Sequence, residues 1–205
     1  MASVTGSAAQ GAEGGHRPPG RPRSADADAA ILDAARDLLA ERGWDAMTLG
    51  DVAARAGVAK TTLYRRWPGK AELVVDAMAQ LFDRLCPVDA GSVRADAEAV
   101  IRELIELWSR PEAQTAFLAL AAQSARDPAL RAAVREKIID RQRRLVHEGA
   151  ARADARGDGV RIADPELIFD VIAGTLVQRL LIEGEPLDEG YLNRFLDLLG
   201  AALRG

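Results

Sequence analysis

Cys86 is the only cysteine among 205 residues. The chain can therefore close no internal disulfide and build no cysteine-based zinc site. Histidine is nearly as scarce, with His16 in a polar leader and His147 alone on an amphipathic segment. Cys86 abuts Pro87 at the end of a helical pattern. No nucleophile, base and orienting group can be assembled from these, which sets an α-helical enzyme aside, and nothing calls for a cofactor or metal. No apolar run approaches the ~20 residues a membrane span needs. The N-terminus lacks the apolar core of an export signal, so the expected location is cytoplasmic. Aromatic residues make up 4% and strand-like alternation is missing, while alanine and leucine abound. What remains is an all-α chain long enough for one or two domains.

The densest information lies between Met47 and Trp67. Thr48 is a good N-cap, because its hydroxyl can accept from a free amide of the first helical turn. Leu49, Val52, Ala53 and Ala56 then recur at helical spacing as one apolar stripe. Gly57 stops that helix, since glycine enters the left-handed region without steric cost. Val58, Leu63 and Trp67 anchor a second short helix inward, which leaves Lys60, Thr61, Thr62, Tyr64, Arg65 and Arg66 facing out. Two short helices around a glycine turn, with cations, hydroxyls and an aromatic exposed, form a helix-turn-helix, a device for the DNA major groove.

Charge supports this locally and not globally. The formal net charge is −4, yet no acidic residue stands between Asp51 and Glu72, where Arg55, Lys60, Arg65, Arg66 and Lys70 all lie. Phosphates respond to the local field. Two positions weaken the unit: Ala59 leaves the second helix without a side-chain cap, and Gly50 is a poor helix former.

The run Ile31 to Trp44, with Met47-Thr48, Ala56-Gly57-Val58, Leu63-Tyr64 and Trp67-Pro68-Gly69-Lys70, resembles the DNA-binding domain of TetR-family regulators. The likeness runs without a gap from about Asp26 to Leu85. It implies an all-α homodimer of about nine helices: a DNA-binding domain over residues 26–85 and a larger effector-binding and dimerisation domain over 86–205. By this resemblance Thr48 and Tyr64 touch phosphates, and Lys60, Thr61 and Thr62 read base edges. Arg65 and Arg66 serve a base or a phosphate. Lys70 adds its charge to the free amides that open the fourth helix. Most such regulators repress transcription and leave the operator when a small molecule binds. Control without a small molecule, by a protein partner or as an activator, is the alternative.

Residues 1–25 are a leader of Gly, Ala, Ser and Pro that cannot bury a core. Its segment Arg17 to Arg23 is either a minor-groove arm, with Arg21 and Arg23 as contacts, or a basic leader without fixed role. Beyond the motif the pattern gives helices over Glu72–Leu85, ended by Pro87, and over Ser92–Ser109. Others follow over Pro111–Ala125, from Asp127-Pro128 to Arg156, from Asp164-Pro165 to Ile182, and over Asp188–Leu203.

In the penultimate helix Ile168, Phe169, Val171, Ile172, Leu176, Val177, Leu180 and Leu181 cover almost the whole circumference. A helix apolar all round must be buried all round. Pairing two terminal hairpins about a two-fold axis, with Leu192, Phe195, Leu196 and Leu199 inward, would do this. An effector cavity is implied among the middle helices. Its candidates are Trp108, Phe117, Leu120, Ile138, Gln142, Leu145, Phe169 and Ile172, residues that also suit an ordinary core. Arg141, Arg143 and Arg144 on the long helix could meet an anion, though a solvated face fits them better.

Overall fold

A computed structural model describes residues 23–86, 88–159, 162 and 164–202, with side chains from Ala25 onward. Arg21 and the rest of the leader to residue 22, Pro87 and Leu203 lie outside these. The described residues form nine helices and no strand. In order they are α1 (Arg23–Ala46), α2 (Leu49–Arg55), α3 (Lys60–Tyr64), α4 (Lys70–Phe82), α5 (Val93–Trp108) and α6 (Pro111–Ser124). Helix α7 runs from Pro128–Val134 through a π turn at Arg135–Ile139 into Asp140–Arg156. Helix α8 comprises Pro165–Leu176 and a closing π segment, Val177–Glu183, and α9 is Glu189–Ala202.

The ends are set by local chemistry. Ser92 accepts from the Ala95 amide at 3.2 Å, Asp127 from Ala129 and Leu130 at 2.9 and 3.0 Å, and Asp164 from Leu167 at 3.0 Å. Each supplies an oxygen to an amide that the helix itself cannot satisfy. Pro111, Pro128 and Pro165 occupy first helical positions, where a missing N–H costs nothing. Gly43 interrupts α1 with φ 74° and ψ 179°, a conformation only glycine adopts freely. The first helix also begins earlier than expected: Arg23, assigned to an extended arm, is its first residue.

One apolar core runs from Ile31 in α1 to Leu199 in α9. It crosses the expected boundary at residues 85 and 86 without a break, since Leu85 is itself buried. Helix α1 packs on α2, α4 and α6, and α4 packs on α1, α6 and α7. Arg36 is buried within this junction, donating to the Ala77 carbonyl at 3.2 Å and to Gln80 Oε1 at 2.7 Å. Burial pushes its guanidinium below its ordinary value, with Asp33 opposing.

The far end of α7 is closed by a charge cluster. Arg156 donates to Asp89, Asp96 and Asp158 at 2.6, 2.7 and 2.9 Å. Asp158 also accepts from the Val93 amide at 3.1 Å, which joins the loop after α7 to the start of α5. The Arg156 guanidinium holds the Asp158 carboxyl below the usual carboxylate range. A depressed folded-state pKa stabilises above the unfolded value of about 3.9 and ceases to do so as pH falls through the folded one. Asp158→Asn should therefore lower the neutral-pH melting temperature by a few degrees. The difference from the parent should shrink as the pH falls from about 3.9 through the lower folded-state value, as thermal melts across pH would show.

Candidate nucleic-acid interface and adjoining cavity

The interface begins with the capping box of α2. Thr48 Oγ1 accepts from the Asp51 amide at 3.1 Å, while Asp51 Oδ2 accepts from the Thr48 amide at 3.3 Å and its hydroxyl at 2.7 Å. The Thr48 hydroxyl, then its amide, Arg42 and Lys60, hold the Asp51 carboxyl below its ordinary range. Leu49, Val52 and Ala53 are buried. Gly57 turns the chain at φ 65°, and the Val58 amide closes the turn on the Ala53 carbonyl at 3.0 Å.

Helix α3 is little more than one turn. Leu63 is fully buried and Trp67 nearly so, which pins one side. Lys60, Thr61, Tyr64 and Arg65 are exposed on the other, and Thr62 is half-buried. Tyr64 shows 50% of its surface to solvent. Exposing that much of an aromatic ring gains nothing within one chain. Gly50 has a role that its low helix propensity hides: a β-carbon there would stand 3.3 Å from Lys60 Nζ. Glycine leaves room for the ammonium to lie over the first turn of α2.

Three of the five cations in the acid-free stretch are engaged elsewhere. Arg55 makes a two-pronged pair with Glu41 of α1 at 2.7 and 2.6 Å. Arg66, expected to face DNA, is half-buried and ion-pairs with Asp28 of α1. Its position at the end of α3 points it back toward its own scaffold. Lys70, expected at a phosphate, donates to the Trp44 and Met47 carbonyls at 2.7 and 3.1 Å and lies 4.6 Å from the Trp44 ring centre. The open carbonyls around the Gly43 break attract it more strongly than solvent does. The positive face of α3 thus rests on Lys60 and Arg65. The cation pattern could not reveal the acids that α1 brings up from far away in sequence.

Behind α4 lies a cavity of about 570 Å³. Trp108, Phe117 and Leu120 line it from α5 and α6, Ile138 and Gln142 from α7, and Phe169 and Ile172 from α8. Leu145 lines a neighbouring space of about 100 Å³ instead, with Gln142 contributing to both. Sequence reasoning missed Met78 and Phe82, which make α4 a wall of the cavity, and the polar groups Ser124, Arg131 and Arg135. Arg143 also faces it. Arg141 instead pairs with Asp83 at 2.6 Å, and Arg144 is exposed. Among the described residues, no helix is long and apolar enough to cross a membrane, and no group of His, Cys, Asp and Glu could hold a metal ion.

An all-α chain with a short helix held outward on a glycine turn defines a DNA-binding transcription regulator of the helix-turn-helix class. The profile for bacterial regulatory proteins of the tetR family matches residues 31–77, and that for the tetracyclin repressor-like C-terminal domain matches 87–199. The chain belongs to the TetR family of transcriptional regulators, which are not enzymes.

It is 32% identical to the HTH-type transcriptional regulator YdeS of Bacillus subtilis (strain 168) over 191 residues, 91% of this chain and 92% of that one. To the DNA-binding transcriptional repressor TetR of Mycobacteroides abscessus it is 33% identical over 177 residues, 82% and 89% of the two chains. The solved TetR family regulator SCO0332 superposes with a TM-score of 0.70 at 31% identity, covering 84% of this chain and 97% of that one.

The uncapped start of α3 yields a direct test. Ala59 is exposed and already extended at φ −66° and ψ 140°, as an N-cap should be. Ala59→Ser should add about 1 kcal/mol of stability, raising the melting temperature by about 2–4 °C. An unchanged melt would mean that α3 is held by Leu63 and Trp67 alone.

Proposed function

We propose that the protein is a cytoplasmic repressor that grips a palindromic operator as a homodimer and releases it when a small molecule enters the cavity. One observation carries this reading. Helix α4 follows α3 in the chain and is tied to the end of the recognition unit by the Trp67–Asp76 hydrogen bond, and its other end, Met78 and Phe82, walls the cavity. Whatever fills the cavity therefore presses on the helix that seats the recognition unit. A hundred-fold loss of DNA affinity needs only about 2.7 kcal/mol of coupling. FadR of Bacillus subtilis, solved in complex with stearoyl-CoA, has the same fold at 19% identity and a TM-score of 0.64. A small molecule within this architecture is thus physically reasonable.

The dimer reading rests on the last two helices. Ile172 and Leu176 are buried against the chain's own core. Leu167, Val171 and Ile182 of α8 and Leu198 of α9 stand 57, 37, 62 and 63% exposed. A second copy would cover this strip and form a four-helix bundle. It would also set two α3 helices about 34–36 Å apart, one turn of DNA.

In this reading Lys60, Thr61 and Thr62 read bases, Thr48 and Tyr64 address the backbone, and Arg65 serves a base or a phosphate. Arg21 remains a candidate for a minor-groove arm, while Arg23 opens α1 instead. An operator selected from random duplexes tests the assignment. Lys60→Ala should relax choice at one base position at a cost of about 1–3 kcal/mol there. Tyr64→Phe should weaken all sequences alike, several-fold. Arg65→Ala should reduce the salt slope by about one. Selection of no preferred duplex, or all three substitutions leaving binding untouched, would overturn the reading.

A further inference from the structure

The polar groups inside the cavity describe what it takes, given that it is an effector site as proposed above. Gln142 and Ser124 are 6 and 9% exposed, line the cavity, and leave Gln142 Nε2 and Ser124 Oγ without a hydrogen-bond partner. Buried donors left open in an otherwise apolar chamber await a partner. Of the cations at its edge, only Arg143 has such an open donor, its buried Nε; its terminal nitrogens have partners. Arg143 pairs with Glu166 and Asp170 at 3.5 and 3.2 Å and lies 5.7 Å from the Phe169 ring centre. Arg131 donates to the Ser124 and Ala125 carbonyls at the end of α6, at 2.9 and 3.1 Å. Arg135 has Asp140 at 3.8 Å.

An anionic ligand would have to compete for these groups, and a cationic one would meet three arginines. Trp108 packs edge-on to Phe117 and Phe82 at 5.0 and 5.6 Å, an arrangement suited to flat rings. We propose that the cavity binds an uncharged, ring-bearing, largely apolar molecule. One oxygen of it accepts from Gln142 Nε2, and Ser124 Oγ serves a second polar atom. The volume lies within the ~300–1,000 Å³ of sites that hold such molecules.

Fluorenone and fluorene differ by one carbonyl and form a matched pair of probes, with fluorene carboxylate as the anionic arm. Calorimetric titration of the full chain should show fluorenone binding about ten-fold tighter than fluorene. Gln142→Leu, close in size, should abolish that preference while retaining fluorene, and Ser124→Ala is the milder second variant. Equal affinity for ketone and hydrocarbon, tighter binding of the carboxylate, an unaffected Gln142→Leu variant, or no binding by any probe would each overturn the assignment. Operator release is measured separately. A bound ketone that leaves DNA affinity unchanged would support the ligand class while overturning induction.

A second observation stands independently of the ligand. Asp76 of α4 accepts from Trp67 Nε1 at 2.8 Å with one oxygen, and from Lys137 Nζ at 2.5 Å with the other. Trp67 ends the recognition unit, its amide bonded to the Leu63 carbonyl at 3.0 Å. Lys137 sits in the π turn whose Arg135, Ile138 and Ile139 line the cavity. π turns often mark functional positions. We infer that Asp76 is a positioning residue through which the state of the π turn sets the seating of α3. When the turn shifts, Lys137 leaves, and the carboxylate re-aims the Trp67 indole.

The test uses ligand-free protein. Lys137→Met should move the Trp67 indole N–H resonance and change operator affinity several-fold, although Lys137 lies outside the DNA face. Asp76→Asn should do the same, the double variant should be no worse than either alone, and Lys137→Arg should restore the parent. Additive effects, or an unmoved Trp67 resonance, would overturn the relay. Such a result would leave the DNA-binding assignment standing, because Lys60 and Tyr64 test that separately.

Discussion

Helix α4 is enclosed, and the rest of the molecule is arranged around that constraint. Leu73, Val74, Val75, Ala77, Met78, Leu81 and Phe82 are all buried, packed among α1, α6 and α7. A helix so enclosed moves as a body or not at all, because close-packed interiors transmit displacement and do not absorb it. Its first turn is fastened to the α1–α2 corner by Lys70, and its middle to Trp67 by Asp76. Its last turn, with Phe82 against the Trp108 ring, faces the cavity. Helix α4 thus touches both the recognition unit and the cavity.

The charges around α2 and α3 show how a scaffold edits a basic patch. Counting cations along the chain overstates the field, because α1 returns Glu41 to Arg55 and Asp28 to Arg66. These pairs lie near the surface, where an ion pair adds little stability. Their effect is on direction: they hold α1 against the motif and leave Lys60, Thr61, Tyr64 and Arg65 as the outward set. Gly50 belongs to the same arrangement, trading helix propensity for space under Lys60.

Much of the architecture was legible from short-range rules. Thr48, Ser92, Asp127 and Asp164 cap helices because a side-chain oxygen two or three residues ahead of an open amide needs no distant help. Gly57 turns the chain because its own conformational freedom suffices. The long helix after Pro128 was readable from periodicity, but its π turn was not, since no glycine or proline marks Arg135–Ile139. Of the cavity candidates, all but Leu145 line the space behind α4, and all of those but Gln142 are apolar. Phe82 escapes a reading from sequence, because an inward-facing aromatic looks the same whether it meets a side chain or an empty space.

The sequence by itself determined most of the helices, their capping residues and the glycine turn after α2, because each depends on neighbours within a few residues. Tertiary structure alone decided which cations stay free, why Lys70 turns inward, and that Gln142 and Ser124 lack partners. It also decided that Asp76 joins Trp67 to Lys137. Each of those depends on groups far apart in the chain, and a spacing pattern does not reveal where distant segments meet.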